Sequence, residues 1–581
     1  MNRIHIFLFP VLLISSILSA QNPLAIPPAL TGITFELNLQ NGSRTFFPGS
    51  TTTTMGVNGD LLGPTLILNA GEVVTMNVHN NLGEETTIHW HGMHVSAAND
   101  GGPHTVIEPG TTWSPQFEVL DKASTYWYHP HLHEKTAEHV TKGIAGFIIV
   151  KDAEEAALDL PRTYGHDDFP IVLQSRAFDT DKQFIVETAA DDLMMVNGTL
   201  DAYLDAPAQV VRLRLLNGST NRTYNLGFNN NITFSQIASD GGLLDASLTM
   251  MRLRLSPGER AEVLVNLTGM EGQSVQLISY ASELQSGIYG ATNPSVMPIG
   301  GINGYASNPL NGSDFNVLQI NVGAATADPV TSIPSTLVTN TPYSVADVQA
   351  TRSLLFQPQQ MGPTGMINGP FVINGATFNM DVINLEIPLN NTEIWELTNM
   401  TAISHPFHIH DVQFYILDID GAMPPANMRG RKDVVMVPPM GGTVRFITKF
   451  EDFADPDVPY MYHCHMLSHE DDGMMGQFLV TGDVTASEEI LGTTYPVFEL
   501  YPNPVSDKTL QLNINLPEAG ELEVALHDFA GQVLTVYHLN GKGIGQHAYE
   551  LNLPDGLAAG IYLVHGRLDG EVVGMGKVVL R

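Results

Sequence analysis

The sequence predicts an all-β protein: three β-sandwiches in a row and a smaller, Ig-like sandwich at the end. Three observations predict it. Only 15% of the 581 residues are charged, while Gly (53) and Pro (36) are plentiful, as in a chain of short strands and many turns. A turn-then-strand unit recurs three times, at intervals too long for a solenoid. The last stretch of chain carries its own set of short alternating segments. The length suits about four domains.

The repeat is explicit. Val57-Asn58-Gly59 precedes the alternating segment 72–79, Val196-Asn197-Gly198 precedes 209–216, and Ile373-Asn374-Gly375 precedes 393–397. Each segment alternates apolar and polar residues with period two. Each ends in a similar turn: Asn80-Asn81, Asn217-Gly218, Thr398-Asn399. These units place sandwiches at 22–155, 156–330 and 331–485, a linker at 486–496 and the final module at 497–581. Within that module, 510–516, 522–526, 533–539, 560–566 and 577–581 read as strands. No long helix is expected.

Residues 1–20 read as a secretory signal, with Arg3, an apolar run over 4–14 and a small-residue end at Ser19-Ala20. The run is short for a membrane span, and no later segment is expected to cross one. A net charge of −35 excludes ordinary nucleic-acid binding, which needs a basic surface to neutralise phosphates. It suits an exported, soluble protein.

The chemistry is concentrated in histidines. Chance placement of 21 His gives roughly one His-x-His pair. There are five: 89/91, 129/131, 131/133, 408/410 and 463/465. The only cysteine, Cys464, lies between His463 and His465, with His469 and Met474 following. A lone cysteine has no internal disulfide partner. Thiolate, imidazole and a more distant thioether, completed by a second His from elsewhere, form the ligand set of a blue-copper electron-transfer site. On an extended segment His463 and His465 point away from Cys464, towards a second metal site. Pairs of this kind lie in the first and third units, whereas 156–330 contains only His166. The outer sandwiches are therefore expected to share a metal cluster, with the middle one as spacer.

Four motifs carry a family resemblance: His89-Trp-His-Gly92, Tyr126-Trp-Tyr-His-Pro-His131, His405-Pro-Phe-His-Ile-His410 and His463-Cys-His-Met-Leu-Ser-His-Glu-Asp-Asp-Gly-Met474. From about residue 30 to 480 the chain resembles the three-domain multicopper oxidases, in their bacterial cuprous-oxidase, bilirubin-oxidase and laccase-like branch. The resemblance implies three cupredoxin-like Greek-key sandwiches and four copper ions. It assigns His405, Cys464, His469 and axial Met474 to a type 1 copper. His89 and His408 go to a type 2 copper. His91, His129 and His465 go to one type 3 copper, and His131, His410 and His463 to the other. Electrons from a small reductant, organic or cuprous ion, would pass from the type 1 site through Cys464 to the cluster, where dioxygen becomes water. Dioxygen reduction consumes protons, and Asp100 and Glu470 match acidic positions that the family links to proton delivery. Trp90 and Trp127 are expected to shield the cluster. His133, His94 and His104 are expected beside it or at the surface rather than as ligands.

The match has gaps. The family's cuprous oxidases often carry a methionine-rich insertion; here Met361, Met366, Met423, Met428, Met436 and Met440 are scattered. An acidic residue before the first type 1 histidine is replaced by Thr401-Ala-Ile-Ser404. Both weaken a dedicated cuprous oxidase and leave phenols or bilirubin-like pigments open. The alternative is a non-catalytic, copper-sequestering protein. Tyr501-Pro-Asn-Pro504, Gly560-Ile-Tyr562 and a basic end make the tail similar to the type A sorting domain of the type IX secretion machinery. That implies release from, or attachment to, the outer cell surface.

Overall fold

The turns at Asn58, Asn197 and Asn374 share one geometry. Their φ angles are 55, 48 and 53°, in the left-handed region that asparagine tolerates. In each, the side-chain Oδ1 accepts the main-chain N–H of a neighbouring strand at 2.7 Å: Asn38, Val172 and Leu355 respectively. The computed structural model describes residues 21–482 except 187 and 299, and 498–581 except 503, 506–507, 517–518, 528–532, 540–542, 544 and 570. The expected signal segment and linker lie outside the described residues.

A second device repeats where each alternating strand ends. Asn80, Asn217 and Asn399 are fully buried. Asn80 Nδ2 donates to Glu84 O and Ile107 O, Asn217 Nδ2 to Arg222 O and Leu255 O, and Asn399 Nδ2 to Ile403 O and Val437 O. Each Oδ1 accepts the N–H two residues on, from Leu82, Ser219 and Thr401. A buried carboxamide must be satisfied, and these satisfy themselves by fixing the loop that follows. In the first and third sandwiches that loop leads to His89 and His405. In the second it leads to Tyr224.

The pairing around the three strands is also the same. Val73–Asn81, Val210–Asn217 and Thr392–Asn399 each lie parallel to the strand opening their sandwich: Thr34–Arg44, Asp168–Arg176 and Val348–Pro358. Each sandwich closes over its own core. Leu37, Val74 and Met76 belong to the first, Ile171, Val211 and Leu213 to the second, and Trp395, Phe407 and Phe446 to the third. The chain is thus all-β, with three cupredoxin-like sandwiches in the unit Met1–Asp483. Flanking segments zip onto the middle one: Asn22–Pro23 pairs with Ala202–Pro207, and Leu337 N donates to Asp245 O at 2.9 Å.

Val210–Asn217 is buried along its whole length. Val211, Leu213 and Leu215 face the core, while Arg212 and Arg214 face the first sandwich. Buried guanidinium groups need complete partners. Arg214 takes both oxygens of Asp168 and one of Glu262, and also donates to Thr125 Oγ1.

The second unit, Val484–Arg581, has a three-stranded and a four-stranded sheet around Leu510, Leu512, Val524, Val564 and Val578. Among the described residues no helix is long and apolar enough to cross a membrane.

Candidate metal centres

Strand His89–His91 runs antiparallel to Ser124–His129, placing His89 opposite His129. In the third sandwich His405–Ile409 runs antiparallel to Asp455–Cys464, placing His408 opposite His463 and Phe407 opposite Cys464. Residues two apart on a strand share a face. His89 and His91 thus share a face, each of the other three pairs runs from the end of a strand into the loop after it, and the eight imidazoles of the four pairs gather between the first and third sandwiches. All eight are at most 1% exposed.

The outer nitrogen of most rings is engaged, which fixes what the inner nitrogen can do. His91 Nε2 donates to Asp433 Oδ1 (3.2 Å) and His129 Nδ1 to Pro130 O (2.8 Å). The remaining lone pairs, on His91 Nδ1 and His129 Nε2, face each other at 3.3 Å, and His465 Nε2 lies 3.2 Å from the same His91 atom. Likewise His463 Nδ1 meets Glu470 Oε2 at 3.0 Å, and His463 Nε2 faces His131 Nε2 at 3.2 Å. His408 Nδ1 donates to Asp433 O (2.8 Å), His410 Nδ1 to Asp100 Oδ2 (2.8 Å) and His89 Nδ1 to Asp100 O (3.0 Å). The Nε2 atoms of His89, His408 and His410 are then buried without a partner. Converging lone pairs and orphaned nitrogens are costly unless a cation lies among them. Neutral imidazoles suit copper.

Burial disfavours the charged form in six of these rings. It pushes His91, His129, His408 and His410 well below the ordinary imidazole range, helped by neighbouring rings. His131 falls to about 4, with burial outweighing the Glu470 carboxylate, and His465 to about 3.

On the other face of the same strand, Cys464 Sγ lies 3.4 Å from His405 Nδ1 and 3.6 Å from His469 Nδ1. Thr401 Oγ1 gives its proton to Asn399 Oδ1 and accepts from His405 Nε2 at 2.8 Å. That turns the Nδ1 lone pair towards the sulfur. Met474 is buried close by in sequence: its N–H donates to His469 O and its carbonyl accepts from Cys464 N. Burial pushes the Cys464 thiol far up. A thiolate there needs a bound cation, and the donor set fits copper.

The two predicted carboxylates are buried against the cluster, each touching two of its rings. Asp100 meets His89 and His410; Glu470 meets His463 and, at 3.4 Å, His131. Burial alone would raise the Glu470 carboxyl, but His131 and His463 hold it low. Trp127 stacks on His129 with ring centroids 4.1 Å apart. His133 packs edge-on to Phe378, and His104 pairs with Gln477. His94 is clamped between Asp411 (2.9 Å) and Asp452 (3.1 Å).

Sequence reasoning missed Asp433 and Arg260. Asp433 touches His91 and His408, yet sits in Arg431-Lys-Asp-Val434 with no histidine nearby in sequence. Scattered methionines also meet one loop through their main chain. Met400 N donates to Phe356 O, Met440 N to Thr401 O, and Met366 O accepts from Ala402, so three distant methionines share the loop leading to His405.

Multicopper oxidase profiles match residues 38–155 and 347–484. Over 456 residues the chain is 35% identical to multicopper oxidase mco of Staphylococcus haemolyticus, covering 77% of this chain and 88% of that one. The chain belongs to the multicopper oxidase family. Membership implies copper binding. Among solved structures, this multicopper oxidase resembles the laccase-like CueO of an Ochrobactrum species (33% identity, TM-score 0.68, 79% of this chain and 100% of that one). McoA of Aquifex aeolicus is similar at 29% identity and TM-score 0.69, over 80% and 100% of the two chains. Relatives also include the cell division protein FtsP of Proteus mirabilis, 31% identical over 79% of this chain and 92% of that one. Residues 499–581 match a secretion-system C-terminal sorting domain.

Proposed function

We propose that this multicopper oxidase is exported and oxidises a small reductant one electron at a time at a type 1 site, His405, Cys464, His469 and Met474, to reduce dioxygen at the histidine cluster. His89 and His408 would hold a type 2 ion, His91, His129 and His465 one type 3 ion, and His131, His410 and His463 the other. Copper, when bound, supplies one-electron acceptance at the first site and four-electron reduction of dioxygen to water at the second. The observation that carries this reading is the covalent one: Cys464 of the first donor set sits between His463 and His465 of the second.

The side chains divide the remaining work. Buried aromatic and imidazole rings keep bulk water from the cluster, with Trp127 laid against His129. Glu470 and Asp100 each touch two cluster imidazoles and are placed to pass protons to the reduced oxygen. Phe371 covers His405 and His469, with centroids 4.8 Å from both rings.

His469 is the one member of the first site that is not fully buried. It opens into a cavity of about 180 Å³ lined in part by Tyr289, Asn221, Asn368, Ile403 and Asp472. Among the described residues no cation lines it. With a net charge of −35, this favours neutral or cationic phenols and aromatic amines over dianionic tetrapyrroles. Cuprous ion is the second reductant to test, since soft thioether and thiolate ligands suit it. Oxygen uptake by the copper-loaded protein, with a methoxyphenol, a bilirubin-like dianion and cuprous ion in parallel, separates them. The reading expects the phenol to be fastest; uptake with the dianion alone would overturn it. The tail is read as directing export through type IX machinery before its removal.

A second reading is a non-catalytic copper-sequestering protein; a relative named as a cell division protein shows that the likeness is not confined to chains named as oxidases. The full set of ten histidines, Cys464 and Met474 speaks for the oxidase. Copper bound without oxygen uptake would favour the second.

A further inference from the structure

The middle sandwich supplies no metal-type histidine, yet it reaches the cluster. Its Arg260 is 1% exposed and all five guanidinium N–H groups are used. Nη1 and Nη2 donate to Asp433 Oδ1 and Oδ2, both at 2.6 Å. Nε donates to Thr125 O (3.1 Å), Nη1 also to Gly258 O (3.1 Å) and Nη2 also to Asp240 O (3.0 Å). The fork thus grips main chain from the first sandwich, main chain from its own, and a carboxylate from the third.

That carboxylate belongs to the cluster's surroundings. Asp433 Oδ1 accepts His91 Nε2–H at 3.2 Å, and Asp433 O accepts His408 Nδ1–H at 2.8 Å. One residue therefore sets the tautomer and tilt of two imidazoles assigned to different metals. The same turn of the middle sandwich presses on a third. Gly258 has φ +84°, and a Cβ there would lie 2.9 Å from the His465 ring. On the opposite side, a Cβ on Gly92 would meet Asp433 Oδ2 at 2.5 Å and Arg260 Nη2 at 2.6 Å. The chain leaves no slack around this contact.

We propose that Arg260 is a positioning residue for the copper cluster: it acts through Asp433 to hold His91 and His408 with their inner nitrogens facing the metals. The middle sandwich is then part of the site and not a spacer. Lysine cannot replace the two-pronged grip, because an ammonium offers a point charge and no planar fork. This inference rests on the oxidase reading, since it concerns the ligands of that cluster.

The test uses the full-length, copper-loaded protein and the variants Arg260→Lys, Arg260→Met and Asp433→Asn. The blue type 1 absorption reports the Cys464 site and serves as the check on folding. Electron paramagnetic resonance reports the type 2 ion and near-ultraviolet absorption the type 3 pair. Chelator titration measures how tightly cluster copper is held. The expected result is an unchanged blue band, an altered type 2 spectrum and cluster copper held about 10- to 100-fold more weakly. Arg260→Lys combined with Asp433→Asn should be no worse than either alone, because both act through one contact. Wild-type spectra and chelator resistance in Arg260→Lys would overturn the proposal, even with a lowered melting temperature. If Arg260→Met does not fold, Arg260→Lys decides. A wild-type protein lacking type 2 and type 3 signals at full copper loading would instead fail the oxidase reading itself.

Discussion

His131 Nε2 and His463 Nε2 stand 3.2 Å apart although 332 residues separate them in the chain. His463 Nδ1 lies 3.1 Å from Cys464 O and 3.0 Å from Glu470 Oε2, and His131 Nδ1 faces the same carboxylate at 3.4 Å. The two outer sandwiches thus meet through lone pairs that repel unless a cation joins them.

Copper removal should therefore loosen the contact between those sandwiches. A ligand that binds only the folded state stabilises it by about 4 kcal/mol when present at 1,000 times its dissociation constant. Calorimetry with and without copper should show a higher melting temperature for the loaded protein. Equal temperatures would mean that the rings are not metal ligands.

Replacing Cys464 by Ser should abolish the blue band and oxygen uptake while the cluster keeps its copper. The hydroxyl is a poor ligand for a soft site, and it faces away from the cluster nitrogens. Copper analysis with paramagnetic resonance checks this. Loss of all copper would show that the two sites do not fill independently.

Glu470→Gln keeps the hydrogen-bonding shape beside His131 and His463 but cannot carry a proton. Oxygen reduction should slow by about 100-fold. Anaerobic reduction of the type 1 site by a phenol, followed by stopped flow, should be unchanged. Slowing of that half-reaction would place Glu470 in a different role.

His94 lies on the rim of a separate polar cavity with Asp121, Asp411, Arg431, Lys449, Glu451 and Asp452. Burial opposes its protonation, but Asp411 and Asp121 overcome this and raise it from 6.5 to about 10. A raised value stabilises the fold fully below about pH 6.5, and that contribution fades as pH rises through 10. His94→Gln should thus cost on the order of 1–3 kcal/mol more at pH 6 than at pH 10. Denaturant melts at the two values test the sign. An equal cost at both would remove the ion pair from the account.

The repeated asparagines allow a matched comparison. Asn217→Ala and Asn399→Ala each strand buried main-chain groups and should cost about 2–4 kcal/mol. Only Asn399 also anchors Thr401, which holds His405. The blue band should shift in Asn399→Ala and stay put in Asn217→Ala. Identical spectra would mean that Thr401 does not orient His405.

What the sequence revealed follows from where the information lies. The His-x-His pairs, Cys464 and the threefold turn-and-strand unit are local patterns, so the all-β class and the candidate ligands could be read directly. Asp100 and Glu470 are picked out by the family resemblance, and the structure places both carboxylates against cluster imidazoles. Arg260 and Asp433 are not picked out: their meaning is a contact 173 residues apart in the chain, and each looks locally like an ordinary strand charge. The methionines near His405 were hidden for the same reason. Counting histidines makes the middle unit a spacer, and such a count does not register the Arg260–Asp433 contact.

The most direct test of the central claim is oxygen uptake and copper content measured on one preparation of the loaded protein. The expected result is about four coppers per chain, as the two donor sets require, and steady oxygen consumption with a methoxyphenol, with water as product. A fully loaded protein that consumes no oxygen with phenol, bilirubin-like dianion or cuprous ion would contradict it.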